Sequence, residues 1–438
     1  MSSGIGPSFI GAIQASLSVL LTIFYGVIAS QFNLLNSDAA RQVSKACVKI
    51  FLPALLMTKL GDQLSIEVVG RYLPILLWAV VCNILSICVG KLLEKTLPRS
   101  WEMPAWTTPA IAFNNTTSMP LLLIQALEKT GILSSILIPG GSDSMDDAVQ
   151  RAKTYFLINT MVSNSITFAL GPKLLSADAE DAPSGEGKSV ESDSESGDEE
   201  DGGADEHTSL LPSPVLRRGR RASRKVYSHL SSIHQSLPHP VQVVLHHIAP
   251  FANAPVFGAA AGFILGLTPP LKKAFFADPF EGGFFSAWIT TSLQNIGDLF
   301  ASLQVIVVGV KLAEAMRKVK RGDDDSDSDD GKSGAVPWRA ATIVLLIRFF
   351  IWPAVAVSTI WMLAKHTGVL SEDPILVFCM MLMPAGPPAL KLMALAEVND
   401  SSENQKLAVA KFLAFAYAVS PLMALTVVAS LKATENVA

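Results

Sequence analysis

The chain has 438 residues, of which 50% are hydrophobic and 16% charged, and its net charge is −4 at pH 7. The apolar residues lie in long uncharged blocks and most charges lie in a few connecting segments, which predicts a polytopic membrane protein and excludes the soluble globular class. The four cysteines show no C-x-x-C spacing and have no neighbouring histidines, so neither a disulfide framework nor a metal site is predicted.

A helix of about 20 apolar residues crosses a hydrocarbon core of about 30 Å, and ten stretches of that kind occur in the sequence. In chain order they cover 9–30, 42–60, 72–92, 105–127, 153–172, 248–268, 288–312, 340–364, 374–396 and 410–431. The first is too long and too weakly preceded by basic residues to be a cleaved signal peptide. Lys49 interrupts the second span, and Pro53 is expected to kink it.

An acidic segment rich in Ser and Gly, followed by the basic sequence RRGRRASRK, separates the first five spans from the last five. Its composition cannot bury a core, so we predict a disordered cytosolic loop, 176–245, between a first five-helix repeat, 1–175, and a second, 246–438. A short acidic loop, 322–336, joins spans seven and eight. Serines in the acidic loops and Ser223 resemble kinase targets, although a solubilising linker is the simpler interpretation.

The distribution of basic residues predicts the orientation of the spans. If the long loop is cytosolic, its basic cluster lies on the same side as the basic loops after spans three and seven, and both termini face away from the cytosol. Because each half has five spans, the second half enters the membrane from the opposite side, and related halves would form an inverted repeat. Sequence identity between the halves is faint, as in YFLINTMVSN of span five against KFLAFAYAVSP of span ten.

Two spans at matching positions of the halves contain residues that interrupt a helix. They are Asn114, Asn115, Thr116 and Pro120 in FNNTTSMPLLL of span four, and Pro384, Gly386, Pro387, Pro388 and Lys391 in MPAGPPALKL of span nine. A proline inside a helix costs about 3 kcal/mol, so both helices are predicted to break near mid-membrane. For span four alone, a kinked but packed helix explains the residues equally well.

Paired broken helices in an inverted repeat point to a transport site. The N-terminus of a half-helix exposes unpaired N–H groups with a partial positive charge, which suits a carboxylate or another small anion. Asparagine side chains add neutral donors without the cost of a buried charge. The residues of both breaks are therefore our candidate substrate-binding residues.

The ten spans, the central loop and the motifs FNNTTSMPLLL and MPAGPPALKL resemble the auxin efflux carrier superfamily, in its PIN-LIKES and fungal membrane-transport branch. The resemblance covers essentially the whole chain outside the loops. It implies a scaffold domain and a transport domain, with helices four and nine crossing at the solute site. It also implies residence in the endoplasmic reticulum and transport of auxin-like organic anions.

Carried over to this sequence, the family's Asn-Thr pair falls on Asn115 and Thr116, and the Pro-Pro pair of span nine falls on Pro387 and Pro388. The chain departs from the plant exporters in span three, which offers Asn83 but no carboxylate. It departs again in span nine, where a lysine, residue 391, replaces an expected neutral polar residue.

Charged residues inside spans are functional candidates because they are expensive to keep there. Asp298 in span seven is a candidate proton or cation carrier, or it faces interfacial water. Asn83 is a second candidate for ion coupling. Lys391 attracts an anion or pairs with a carboxylate, or it extends its ammonium to the headgroups. Arg348 lies deep in span eight, where it could pair with Asp298 or bind a lipid phosphate.

The predicted function is a secondary transporter that moves a small organic anion, an auxin-like carboxylate, across an intracellular membrane by alternating access. A channel-like facilitator and a transport-inactive sensor or scaffold acting through the cytosolic loop are the alternatives. The sequence has no Walker A, HExxH or Ser-His-Asp arrangement, so an enzyme is not predicted. The predicted partners are the anion and the lipid bilayer, with no cofactor and no nucleic acid; we also consider a homodimer.

Overall fold

The computed structural model describes residues 5–64, 69–98, 103–138, 143–175, 254–324, 336–367, 370, 373–389, 391–392 and 403–437. Within these ranges the secondary structure is helical, and the only β-type pairing is an isolated bridge between Asn114 and Pro388. The predominantly helical class predicted from the sequence is confirmed. The predicted cytosolic loop, 176–245, lies outside the described residues, as does 325–335 of the shorter acidic loop.

The first half contributes seven α-helices to the part of the chain that the structure describes. They are α1 (Ile5–Gln31), α2 (Ser37–Ala46), α3 (Leu52–Gln63), α4 (Leu73–Thr96), α5 (Thr107–Ala112), α6 (Ser118–Thr130) and α7 (Met145–Leu175). A π turn, Cys47–Phe51, joins α2 to α3, and the Leu52 N–H bonds back to the Cys47 carbonyl. Pro53 has no N–H and its ring crowds the preceding turn, so the kink expected there takes the form of this wider turn.

The second half contributes eight α-helices to the described residues. They are α8 (Ala254–Leu267), α9 (Pro269–Phe276), α10 (Thr291–Asp324), α11 (Trp338–Leu346), α12 (Trp352–Thr367), α13 (Pro374–Leu382), α14 (Glu403–Ala418) and α15 (Met423–Glu435). Two π turns occur here, Ser286–Thr290 before α10 and Ile347–Ile351 between α11 and α12. The second of these also precedes a proline, Pro353, and it contains Arg348, which belongs to the site described below.

Several helices are long and apolar enough to cross a membrane. Among the described residues, four qualify as single helices: Gly6–Gln31, Leu73–Thr96, Ser286–Glu314 and Trp338–Thr367. Two bent pairs raise the number to six: Ala254–Leu267 with Pro269–Phe276, bent by 104°, and Ala408–Ala418 with Ser420–Glu435, bent by 44°. Large apolar side chains such as Leu21, Phe24 and Leu77 are exposed on these helices, as expected for surfaces that face lipid.

One group of helices packs through small residues. α1 lies against α10 so closely that a Cβ added to Gly26 would stand 2.1 Å from the Ile306 carbonyl oxygen, and one added to Gly309 would stand 2.0 Å from that of Ile23. α3 packs against α8 and α10 in the same region. Small residues allow such close backbone approach where lipid supplies no hydrophobic driving force between helices.

The polar interior of the protein lies among α4, α5, α6, α7 and α13. All nine residues of α13 are buried, so this half-helix has no lipid-facing or solvent-facing side. It contacts α7, α12 and α15, while α5 contacts α4 and α7. The indole Nε1 of Trp78 on α4 donates to the Met380 carbonyl at 2.8 Å. These contacts place the end of α13 beside the gap between α5 and α6.

Candidate functional site: the crossing of two interrupted helices

Both helical interruptions are present, and they meet. The chain is non-helical from Phe113 to Thr117 and again after Leu382. The Asn115 N–H donates to the Pro387 carbonyl at 3.0 Å, and the Ala389 N–H donates to the Phe113 carbonyl at 2.9 Å. Each break therefore supplies hydrogen-bond partners for backbone groups that the other break releases from helical pairing. We call this contact the crossing.

Asn114 ties the crossing together with its side chain. Its Nδ2 donates to the Met383 carbonyl at 3.0 Å and to the Ala385 carbonyl at 3.3 Å. Both acceptors lie just after α13, where the last carbonyls of a helix have no partner within the helix. The two amide protons of Asn114 are thus committed to the backbone of the opposite break.

Asn115 connects the crossing to α14. Its Nδ2 donates to the buried Tyr417 hydroxyl at 3.1 Å, and its Oδ1 accepts from the Thr117 N–H at 3.3 Å and hydroxyl at 3.1 Å. The Thr116 carbonyl accepts from the Thr160 hydroxyl of α7 at 2.6 Å. These local bonds satisfy polar groups of a segment that cannot form a helix.

Pro120 lies in the first turn of α6, where the missing N–H would have no helical partner in any case. It therefore permits a helix to start immediately after the break at Ser118. The Ser118 hydroxyl is buried and has no hydrogen-bond partner among the described residues. The crossing thus contains both a helix N-terminus and an unsatisfied hydroxyl.

The residues of span nine shape the other side of the crossing. Gly386 has φ +123°, a conformation that residues with a Cβ rarely adopt, so glycine is required for this turn. The Pro387 carbonyl and the Pro388 backbone pair with span four. The Pro384 carbonyl accepts from Nη1 of Arg348 at 3.4 Å.

Lys391 is directed into the protein. Its ammonium donates a hydrogen bond to Oδ1 of Asn164 on α7, a residue that is 1% exposed. The Nδ2 group of Asn164 is buried without a hydrogen-bond partner in the described part of the chain. Of the two alternatives considered from the sequence, this contact favours the buried position over one at the headgroups.

Arg348 is the principal charge at the crossing that sequence reasoning left out of the candidate site. It is 1% exposed, and its neighbouring titratable groups include Cys82 of α4 and Tyr417 of α14. The suggested pairing of Arg348 with Asp298 is wrong, because Asp298 interacts with Lys153 on a different set of helices. The depth of Arg348 in span eight was the sequence feature that could have identified it as a site residue.

Among the described residues, neither ion-coupling candidate is hydrogen-bonded to the paired backbones. Asp298 lines a small cavity, together with Leu55, Lys59, Leu121, Gln125, Lys153, Leu157 and Ala301. Asn83 donates from Nδ2 to the Ala79 carbonyl of its own helix at 2.7 Å and accepts from the Ser163 hydroxyl at 3.3 Å. The structure thus brings the residues of both breaks and Lys391 together and leaves Asp298 elsewhere.

A network of ion pairs at the N-terminus of α13 was also missed from the sequence. Arg151 forms two bonds to Asp143, at 2.7 and 2.8 Å, and its Nε lies 3.3 Å from Oδ2 of Asp373. Asp373 accepts from the Tyr155 hydroxyl at 2.5 Å and caps α13 through the Ile375 N–H at 3.0 Å. The sequence Asp-Pro-Ile is a recognisable N-cap signal, but the partners from α7 are not visible in it.

Hydrogen bonding and charge shift two pKa values in this network. The bonds from Arg151 hold the pKa of Asp143 below its usual range, and the carboxylate in turn raises the pKa of Arg151. Both groups lie before the predicted fifth span. Over the residues that the structure describes, no group of three or more His, Cys, Asp or Glu side chains is arranged to hold a metal ion.

Comparison with known proteins identifies the family. The sequence pattern of the family described as "Membrane transport protein" matches residues 12–428, nearly the whole chain. The chain belongs to this family. The resemblance to auxin efflux carriers drawn from the two motifs is therefore confirmed, and the apolar helices are those of an integral membrane protein.

Three relatives are similar to this transport protein over most of their length. "Uncharacterized transporter C5D6.04" of Schizosaccharomyces pombe is 23% identical, covering 93% of this chain and 91% of the relative. "Uncharacterized transporter YBR287W" of Saccharomyces cerevisiae is 21% identical, with 95% and 94% covered. "Protein PIN-LIKES 7" of Arabidopsis thaliana is 21% identical, with 88% and 89% covered.

Proposed function

We propose that this protein is a secondary transporter that moves a small organic anion, an auxin-like carboxylate, across an intracellular membrane by alternating access. The proposal rests on one observation: the interruptions of two helices meet inside the protein and pair with each other. Irregular backbone at membrane depth is tolerated only where protein or a water-filled cavity surrounds it, and transporters bind solutes at such places.

The sign of the solute follows from the charges near the crossing. α6 begins at the break, so its N-terminus contributes a partial positive charge and N–H groups. Arg348 and Lys391 add cationic groups. The carboxylates at the opposite end of α13, Asp143 and Asp373, already bind Arg151. A small anion complements this environment, whereas a cation would be repelled by it.

The wider arrangement is part of the same proposal. We propose ten spans in two inverted five-helix repeats, with the breaks of helices four and nine at corresponding positions. The central loop would face the cytosol and both termini the opposite side, with residence in the endoplasmic reticulum. The position of both breaks in the fourth span of a five-span half supports the repeat.

We propose that some candidate residues contact the solute and that others hold the two breaks in position. Asn115, Thr116 and the N-terminus of α6 would contact the solute from span four. The turn formed by Gly386, Pro387 and Pro388 would contact it from span nine. Asn114, Pro120 and Pro384 would hold the two breaks in register.

Uptake into proteoliposomes tests the proposal. The purified protein should take up benzoate, phenylacetate or indole-3-acetate with saturating kinetics, with and without a pH gradient. Asn115→Ala removes the bond to Tyr417 and should lower uptake about tenfold or more without loss of protein from the membrane. Asn436→Ala, at an exposed position after α15, is the matched control and should transport normally.

Two results would contradict the carrier proposal, and a third would contradict the binding role of Asn115. Flux that rises linearly with concentration would indicate a channel-like facilitator. Wild-type protein that is folded but takes up none of the acids would favour a sensor or scaffold. Asn115→Ala protein that fails to fold would show that this amide is structural.

A further inference from the structure

Arg348 occupies an unusual place for a charged residue. It lies on the π turn Ile347–Ile351, which interrupts the helix of span eight just before Pro353. Single π turns inside helices reposition side chains and often occur at functional sites. On this turn the Arg348 side chain is only 1% exposed, and it lies beside the Pro384 carbonyl at the end of α13.

The guanidinium has few partners there. Nη1 donates to the Pro384 carbonyl over 3.4 Å, a long bond, while Nε and Nη2 are buried without a hydrogen-bond acceptor among the described residues. Within the same part of the chain, no carboxylate pairs with Arg348. A buried charge without a counter-ion costs several kcal/mol, so Arg348 would gain from a partner that the described residues do not supply.

The two unsatisfied nitrogens define the shape of that partner. Nε and Nη2 lie on one edge of the planar guanidinium, and their N–H groups point the same way. This edge forms the two parallel bonds that a carboxylate accepts. An ammonium group offers no such fork, so a lysine at this position would attract an anion without orienting it.

Neighbouring groups extend the same surface. The Tyr417 hydroxyl accepts from Asn115 of span four, and Tyr417 is one of the neighbouring groups of Arg348. Its own proton has no acceptor among the described residues, and is therefore available to an oxyanion. Arg348, Tyr417 and Asn115 together present donors from spans eight, ten and four.

We infer that Arg348 is the carboxylate-binding residue of the transport site, with Nε and Nη2 donating two parallel hydrogen bonds to the solute's carboxylate and the Tyr417 hydroxyl donating to the same group. The inference rests on the proposed function. It narrows the preferred substrates to organic acids with a free carboxylate, which should bind more tightly than their amides and esters, because only the anion accepts two parallel charge-assisted bonds.

A purely structural role for Arg348 makes a different prediction. Its positive charge also complements the partial negative charge at the C-terminus of α13. If that were its whole function, neutralising it would lower thermal stability and would weaken binding of acids and amides equally. The ratio of the two affinities therefore separates the roles, whatever happens to stability.

The experiment measures binding of phenylacetate and phenylacetamide to full-length protein in nanodiscs, by scintillation proximity and by thermal shift. Arg348→Gln should weaken phenylacetate binding about 10- to 100-fold and leave phenylacetamide binding unchanged. Arg348→Lys keeps the charge but not the fork, and should recover part of the loss. Tyr417→Phe should weaken phenylacetate binding by less than Arg348→Gln.

Lys365→Met is the matched control, because Lys365 is an exposed cation on α12, in the same span, and lies over the Trp361 ring. It should bind both compounds as wild type does. Wild type that binds phenylacetate while folded Arg348→Gln binds it equally well would overturn the inference and leave the carrier proposal standing. Wild type that binds and transports none of the acids of the panel would overturn the carrier proposal and the inference with it.

Discussion

Replacing Asn114 by alanine tests whether the crossing holds the two halves of the protein together. The substitution removes the bonds from Nδ2 to the Met383 and Ala385 carbonyls, at 3.0 and 3.3 Å. Asn114 is 9% exposed, so water has little access to replace the lost donors. The backbone pairing of the breaks does not involve the side chain and should survive.

The expected loss of stability can be bounded. Interhelical hydrogen bonds in membrane proteins contribute about 0.6 kcal/mol each on average, which gives a lower value of about 1 kcal/mol for two bonds. Leaving one buried carbonyl without a donor costs up to about 3 kcal/mol, which gives the upper value. A large domain loses about 2 °C in Tm for each kcal/mol, so the melting temperature should fall by about 2 to 6 °C.

The assay is thermal unfolding of purified protein in nanodiscs, followed by intrinsic fluorescence, with Asn436→Ala as the exposed control. Asn115→Ala is measured in the same series as a comparison, because its main expected effect is on transport and not on melting temperature. A melting temperature unchanged in Asn114→Ala would refute the tethering role. Loss of anion binding at full stability would instead place the Asn114 amide in the solute site.

Three further predictions concern neighbouring groups. Gly386→Ala forces a Cβ onto a backbone at φ +123° and should destabilise the protein by about 1 to 3 kcal/mol, seen as a lower Tm. Because the folded pKa of Asp143 is lowered, its stabilising contribution is present above the unfolded pKa of about 4 and is lost as the pH falls through the folded value. Wild-type Tm should therefore drop more on acidification than that of Asp143→Asn, and parallel curves would contradict this. Lys391→Met should weaken binding of phenylacetate relative to its methyl ester by about 1 to 3 kcal/mol, and equal acid affinity in both proteins would remove Lys391 from the site.

Local chemistry explains what could be predicted from the sequence. Prolines and a glycine at 384–388 exclude a continuous helix, and consecutive polar residues at 114–118 favour a break, so both interruptions follow from the sequence alone. The kink at Pro53 was predicted for the same reason. Its form as a π turn was not, because that depends on the packing of the whole helix.

Long-range pairing explains what could not be predicted. The bond from Asn115 to Pro387 joins residues far apart in the chain, and no local pattern specifies which break supplies which acceptor. The wrong pairing of Arg348 with Asp298 has the same origin. Both charges were recognisable as intramembrane residues, but their neighbours are set by helix packing, which periodicity does not encode.

The two ends of α13 interact with charged groups of opposite sign. At the N-terminus, Asp373 caps the helix and is itself paired with Arg151, which suits the positive end of the helix dipole. At the C-terminus, Arg348 faces the negative end beside the Pro384 carbonyl. A helix terminus stabilises a partly buried charge by at most about 2 kcal/mol. This stabilisation is smaller than that from a carboxylate hydrogen-bonded to the same charge. On the proposed function, a solute carboxylate would therefore stabilise Arg348 more strongly than the C-terminus of α13 does.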